Sequence, residues 1–154
     1  MSEANSLKKL FTVDEANATL PLVRAIATDL ATLSREVIDR RERLATLHSS
    51  RLPSKTRDAY SEELAQIEDE LNKDSERLHE YVEELRALGV EPKNGPEGLI
   101  DFPCEMDGHV VYLCWKLGES EVLHWHEIDA GFRGRQPLYA ESVSGEFPLA
   151  DETS

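Results

Sequence analysis

The chain is poor in positive charge, in cysteine, in aromatic side chains and in long apolar runs, and each shortage closes off a class of function. Its 17 basic residues face 31 acidic ones over 154 positions, for a net charge of −14. A surface this acidic repels phosphate backbones and anionic headgroups, so no unspecific binding to nucleic acid or membrane is expected. No apolar run reaches bilayer-spanning length, and Met1-Ser2-Glu3-Ala4-Asn5 lacks the basic and apolar regions of a signal peptide. A cytoplasmic protein is the expectation. Aromatics make up only 6%, yet a hydrophobic share of 40% suffices for a core. The length suits one domain, or one helical unit with a small appendage.

What is present is two long helical patterns. Val23, Ile26, Leu30, Leu33, Val37, Leu44 and Leu47 recur every three or four positions between Leu20 and Leu47. Tyr60, Leu64, Ile67, Leu71, Leu78, Tyr81, Leu85 and Leu88 do the same between Tyr60 and Leu88. Such spacing keeps one narrow seam in line, the pattern of two helices packed side by side. After a leader at 1–12, Thr12-Val13-Asp14-Glu15 fits a capping box. Pro21 predicts a short helix at 13–18 and a main helix from Leu20, with Thr19 as its cap. Ser49 to Lys55 reads as the turn, and Gly89 as the left-handed residue ending the second helix. The result is an antiparallel helical hairpin over 13–90.

With the turn centred near Leu52, Leu44 meets Tyr60, Val37 meets Ile67 and Leu30 lies level with Asp74. Arg40 and Asp74 break the seam. In this register they do not pair; each side chain reaches solvent, the alternative being that they set register or partner choice. Carboxylates crowd the second helix, and Glu76-Arg77-Leu78-His79 matches the Glu-x-x-His string of di-iron bundles. It occurs once, with no facing partner motif, and reads as a solvated face.

Pro92, Asn94, Gly95, Pro96 and Gly98 form a linker, after which the period changes to alternation. Leu99–Cys104, His109–Lys116 and Glu121–Ile128 predict three antiparallel strands, so the fold class is α+β: a coiled-coil-like hairpin followed by a small three-stranded meander within 98–138. Asp107-Gly108 is a two-residue turn that sets Cys104 opposite Val111 and Asp101 opposite Cys114. Gly118-Glu119 fits a second such turn, setting Cys114 opposite Leu123 and Val111 opposite His126. One face then carries Ile100, Phe102, Val111, Leu113, Trp115, Val122, His124 and His126. The other carries Leu99, Asp101, Val110, Tyr112, Cys114, Leu123, Trp125 and Glu127. Cys104 and Cys114 fall on opposite faces, which forbids a disulfide or a shared metal. Both faces are largely apolar, so the second needs the C-terminal tail at 139–154 or another subunit; a homodimer is expected.

The segments Phe11-Thr12 through Glu15-Ala16-Asn17 with Leu20-Pro21, Gly98 to Pro103, Leu113-Cys114-Trp115 with Gly118-Glu119, and Trp125-His126-Glu127 with Gly134-Arg135-Gln136-Pro137-Leu138 carry a resemblance. Together they resemble a bacterial family, the domain-of-unknown-function family 2203, over roughly residues 11–138. The resemblance implies a domain extent and supplies no mechanism. His124 stands where members of such a family are expected to vary, which weighs against it as a ligand.

Arg133 and Arg135, bracketed by Gly131 and Gly134, make a positive spot in an acidic chain. They read either as a carboxylate or phosphate site or as an internal clamp in which Arg135 pairs with Glu127, Asp129 or Asp101. His124 and His126 share a face and are the metal candidates if any metal binds; otherwise they are hydrogen-bonded strand residues. Cys114 reads as a packing residue, and no serine or cysteine has a base and orienting acid nearby. With no catalytic set and no cofactor expected, the sequence favours a non-enzymatic interaction or scaffold protein, partnering through its hairpin or with itself. The alternative is a small protein binding a divalent metal or an anion, open to enzymatic use, around Asp101, His126, Glu127 and Arg135.

Overall fold

The computed structural model describes residues 9–49 and 57–138. The expected leader up to Lys8, the expected turn at 50–55 and the expected tail from Tyr139 lie outside the described residues. Helix α1 (Val13–Ser49) begins at the capping box: Thr12 N–H donates to Glu15 Oε1 and Glu15 N–H to Thr12 Oγ1, both at 3.0 Å. It runs unbroken for 37 residues through Pro21, where a restart is expected from the sequence. Thr19 is no cap; its hydroxyl donates to the Glu15 carbonyl one turn back at 2.9 Å, as an interior helix residue does. The lost amide at Pro21 is tolerated because Ala16, Leu20, Val23, Ala27 and Leu30 all bury on the sheet.

Helix α2 (Arg57–Ala87) returns antiparallel along α1. It closes at Gly89 (φ 97°), whose amide donates to Arg86 O at 2.9 Å while that of Val90 donates to Leu85 O at 3.3 Å. This pair of bonds caps the last turn, and a side chain at Gly89 would also meet Lys9 Cβ at 3.0 Å. Arg40 and Asp74 do pair, contrary to the simple register. The long arginine side chain bridges the axial offset, and its guanidinium fork also reaches Glu70 at 3.3 Å. Asp74 is only 8% exposed, and the pair supplies its counter-charge. Glu76 and His79 are both exposed. No helix among the described residues is long and apolar enough to cross a membrane.

The sheet is a five-stranded antiparallel meander in the order β1 (Glu91–Asn94), β2 (Leu99–Met106), β3 (His109–Lys116), β4 (His124–His126), β5 (Gln136–Pro137). The α+β hairpin-plus-meander class holds, with two more strands than the alternation predicts. Both extra strands are short edges containing proline, which carry no period-two signal. The Asp107-Gly108 turn has both residues at positive φ (52° and 85°) and sets Asp101 opposite Cys114 and Cys104 opposite Val111, as expected. Cys104 and Cys114 lie on opposite faces, and both thiols are free.

The next turn departs from expectation. Instead of a two-residue reversal at Gly118-Glu119, a loop runs from Leu117 to Leu123 and β4 pairs Tyr112 with His126 and Cys114 with His124. The loop is tied to α1: Val122 N–H donates to Asn17 Oδ1 at 2.7 Å, and Arg24 donates to Ser120 O at 3.0 Å. The register differs by one residue from the predicted one, and one residue exchanges the faces. Trp125 turns into the core with Ile100, Phe102, Leu113 and Trp115; His124 and His126 turn to the face that carries Asp101 and Cys114. The part of that face around Asp101, Cys114 and His126 is flanked by the chain's own segment 127–135, with a 3₁₀ turn at Phe132–Gly134.

The Arg40–Asp74 pair gives a test. Arg40→Met leaves a buried carboxylate alone and lowers stability by about 2 kcal/mol, whereas adding Asp74→Leu recovers most of the loss. Urea midpoints of the three proteins decide it: a double variant as weak as the single one removes the ion pair as the cause.

Candidate functional site

Three strands bring the outer-face group together. Asp101 on β2 and Cys114 on β3 are cross-strand neighbours, and His126 on β4 reaches over β3 to Asp101. All three are buried, at 2%, 0% and 2% exposure. A carboxylate oxygen, a thiol sulfur and an imidazole nitrogen here lie within 4.8 Å of one another. His126 Nε2 faces Asp101 Oδ1 at 3.1 Å, and Nδ1 faces the Glu127 carbonyl at 2.7 Å.

The second contact fixes the first. A carbonyl only accepts, so Nδ1 carries a hydrogen and the lone pair of a neutral ring sits on Nε2. Two basic atoms, Nε2 and Oδ1, then face each other and share one proton. Burial pushes the Asp101 carboxyl up, against the pull of His126 and Lys93. Burial and the Asp101 charge push the Cys114 thiol up to about 12, against the nearby Arg135. With both His126 nitrogens engaged, the ring has no free position to serve as general base toward a ligand. What Nε2 can do is exchange its shared proton for another electrophile.

A second cluster adjoins Cys114. The Arg135 guanidinium pairs in a fork with Glu119, lies 3.9 Å from Cys114 Sγ, and stacks 4.4 Å from the Phe132 ring centroid. Its carboxylate partner is Glu119, not the expected Glu127, Asp129 or Asp101. Burial raises the Glu119 carboxyl, but hydrogen bonds from Arg135 and the Lys116 amide outweigh it and hold the group below its usual range. His124 is half-buried with Nδ1 enclosed and unpartnered, and burial and Arg135 disfavour its charged form. Among the described residues it does not join Asp101, Cys114 and His126. Arg133 is exposed. The Glu127 side chain is exposed and meets His109 at 3.1 Å, so this residue serves the site through its backbone carbonyl.

A cavity of about 140 Å³ opens beside the group, with Asp101 and His126 in its wall. Cys114 is the member that sequence reasoning passed over. The Asp101–Cys114 register was open to view, but nothing local signalled that His126 would share their face.

These features define a class: a helical hairpin docked on an antiparallel meander whose far face buries an aspartate, a cysteine and a histidine together. Residues 9–138 match the model of a family described as uncharacterized conserved protein (DUF2203), and the chain belongs to that family. No curated protein and no solved structure matches it.

The Glu119 carboxyl titrates lower folded than unfolded, so its stabilising contribution is present above its ordinary value of 4.5 and is lost as pH falls below that. Glu119→Gln should therefore flatten the decline in urea midpoint between about pH 5 and about pH 3. An unchanged slope in that window would mean the Arg135 pair contributes nothing to acid sensitivity.

Proposed function

We propose that this protein binds one transition-metal ion through Asp101, Cys114 and His126. The observation that carries the reading is the trio of unlike ligand atoms within 4.8 Å, with His126 Nδ1 anchored on a carbonyl. Metal-ligating histidines are held in this way, which aims the other nitrogen at the ion. Ligands of a tetrahedral ion lie roughly 3.3–3.6 Å apart, so a small closing of the trio suffices. Charge balance supports it too. A divalent ion replaces the proton between Nε2 and Oδ1 and the thiol proton, two charges in for two out, and the buried site stays neutral. Thiolate, imidazole and carboxylate together suit zinc or a similar borderline ion. Asp101 and His126 also line the cavity, so an ion held by them would be within reach of a ligand bound there.

A second reading, as an interaction protein that pairs with its own copy, rests on the hairpin's far end. Beyond Val37 and before Ile67 no described residue is buried, and Leu44, Leu47, Tyr60 and Leu64 are half open. Exposed Arg35 and Arg41 on α1 complement the carboxylates of α2 in an antiparallel copy, where four helices would close the seam. A cytoplasmic setting accords with the two free, buried thiols.

Protein stripped with a chelator and re-exposed to zinc or cobalt should retain one ion per chain by elemental analysis. Cobalt should give thiolate charge-transfer absorption that disappears in Cys114→Ser, and His126→Ala should weaken retention by about 100-fold or more. Circular dichroism confirms that each variant is folded. Folded wild-type protein that retains no ion after desalting overturns the metal reading. For self-association, sedimentation at micromolar concentration should give twice the chain mass, reduced to one by Leu44→Glu with Leu64→Glu; a wild-type monomer ends that reading.

A further inference from the structure

The cavity beside the trio has a composition of its own. Asp101 and His126 form its polar end, Lys93 contributes a cation, and Leu99, Ile128 and Phe132 supply apolar wall. Ile128 and Phe132 are 55% and 37% exposed, two large apolar side chains left open together at one opening. Lys93 Nζ lies 5.0 Å from the Tyr112 ring centroid and forms no ion pair among the described residues. Its side chain is exposed, and its charge acts on the Asp101 carboxylate at the cavity's polar end. A volume of about 140 Å³ is close to that of cavities that take up a molecule of about six non-hydrogen atoms.

Charge decides what fits. With a divalent ion held by a thiolate and a carboxylate the site is neutral, so Lys93 leaves the cavity at one positive charge. We infer that the cavity receives a short-chain monocarboxylate, its carboxylate lying between the ion's open position and Lys93 and its hydrocarbon against Ile128 and Phe132. The inference rests on the metal reading, because the ion supplies the carboxylate's second contact. A cation is repelled by Lys93, and a neutral hydrocarbon offers neither the ion nor the ammonium a negative partner.

Sodium butyrate is the probe, titrated into cobalt-loaded protein while the cobalt spectrum is followed and metal content is assayed on the same sample. Butyrate should shift the ligand-field bands, and butylamine should not. Lys93→Met should retain the ion but weaken butyrate by about tenfold or more, and Phe132→Ala should reduce the preference for butyrate over formate. Loaded protein whose spectrum ignores butyrate, or a Lys93→Met variant that binds it as tightly as wild type, overturns the inference and leaves the metal site standing. Protein that takes up no ion fails at the metal assay, and both readings fall.

Discussion

A single hydrogen bond between distant parts of the chain sets the geometry of the outer face. The Val122 amide donates to the Asn17 side chain at 2.7 Å, fastening the β3–β4 loop to the helix that lies under the sheet. With Val122 held in the core, the strand resumes at His124 and pairs His126 with Tyr112. A β-strand has no intermediate setting: one residue of offset moves every side chain to the other face. Trp125 goes inward and His126 outward as one event. Asn17 also donates from Nδ2 to Val13 O at 3.2 Å, so the amide is oriented by the helix that carries it. The first turns of α1 thus help determine which imidazole meets Asp101, more than 100 residues later in the chain.

The outer face then holds two polar groups with different logic. Arg135 and Glu119 are opposite charges and neutralise each other, with Phe132 stacked on the guanidinium. Asp101 and His126 meet across one shared proton and the Cys114 thiol keeps its own, in a place where charge is costly. Arg135 stands at the border, 3.9 Å from the Cys114 sulfur, and favours its thiolate form. Beside the segment 127–135, the Asp101, Cys114 and His126 group is buried, while the Arg135–Glu119 pair stays half-buried at its border.

Much of this was legible in the sequence where the signal is local. The capping box at Thr12–Glu15, the end at Gly89, both helices and the Asp107-Gly108 turn follow from short patterns, and that turn alone gave Asp101 opposite Cys114. Asp101 and His126 were both candidates, but on opposite faces. What escaped was non-local. Gly118-Glu119 looks like a tight turn, and the contacts that hold it in a longer loop come from Asn17 and Arg24, about a hundred positions away. Arg40 and Asp74 looked too far apart because backbone register ignores side-chain reach. Edge strands of the type Glu91–Asn94 and Gln136–Pro137 have no alternation to detect, since their order comes from neighbours.

Those two edges carry a further consequence. Each is short and each contains a proline, Pro92 at one border and Pro137 at the other, and β1 is bulged between Pro92 and Asn94. A proline offers no amide to an incoming strand, and a bulge twists the border away from a flat partner. An incoming strand therefore meets a short margin at either border, with one amide missing from each and β1 bent by its bulge.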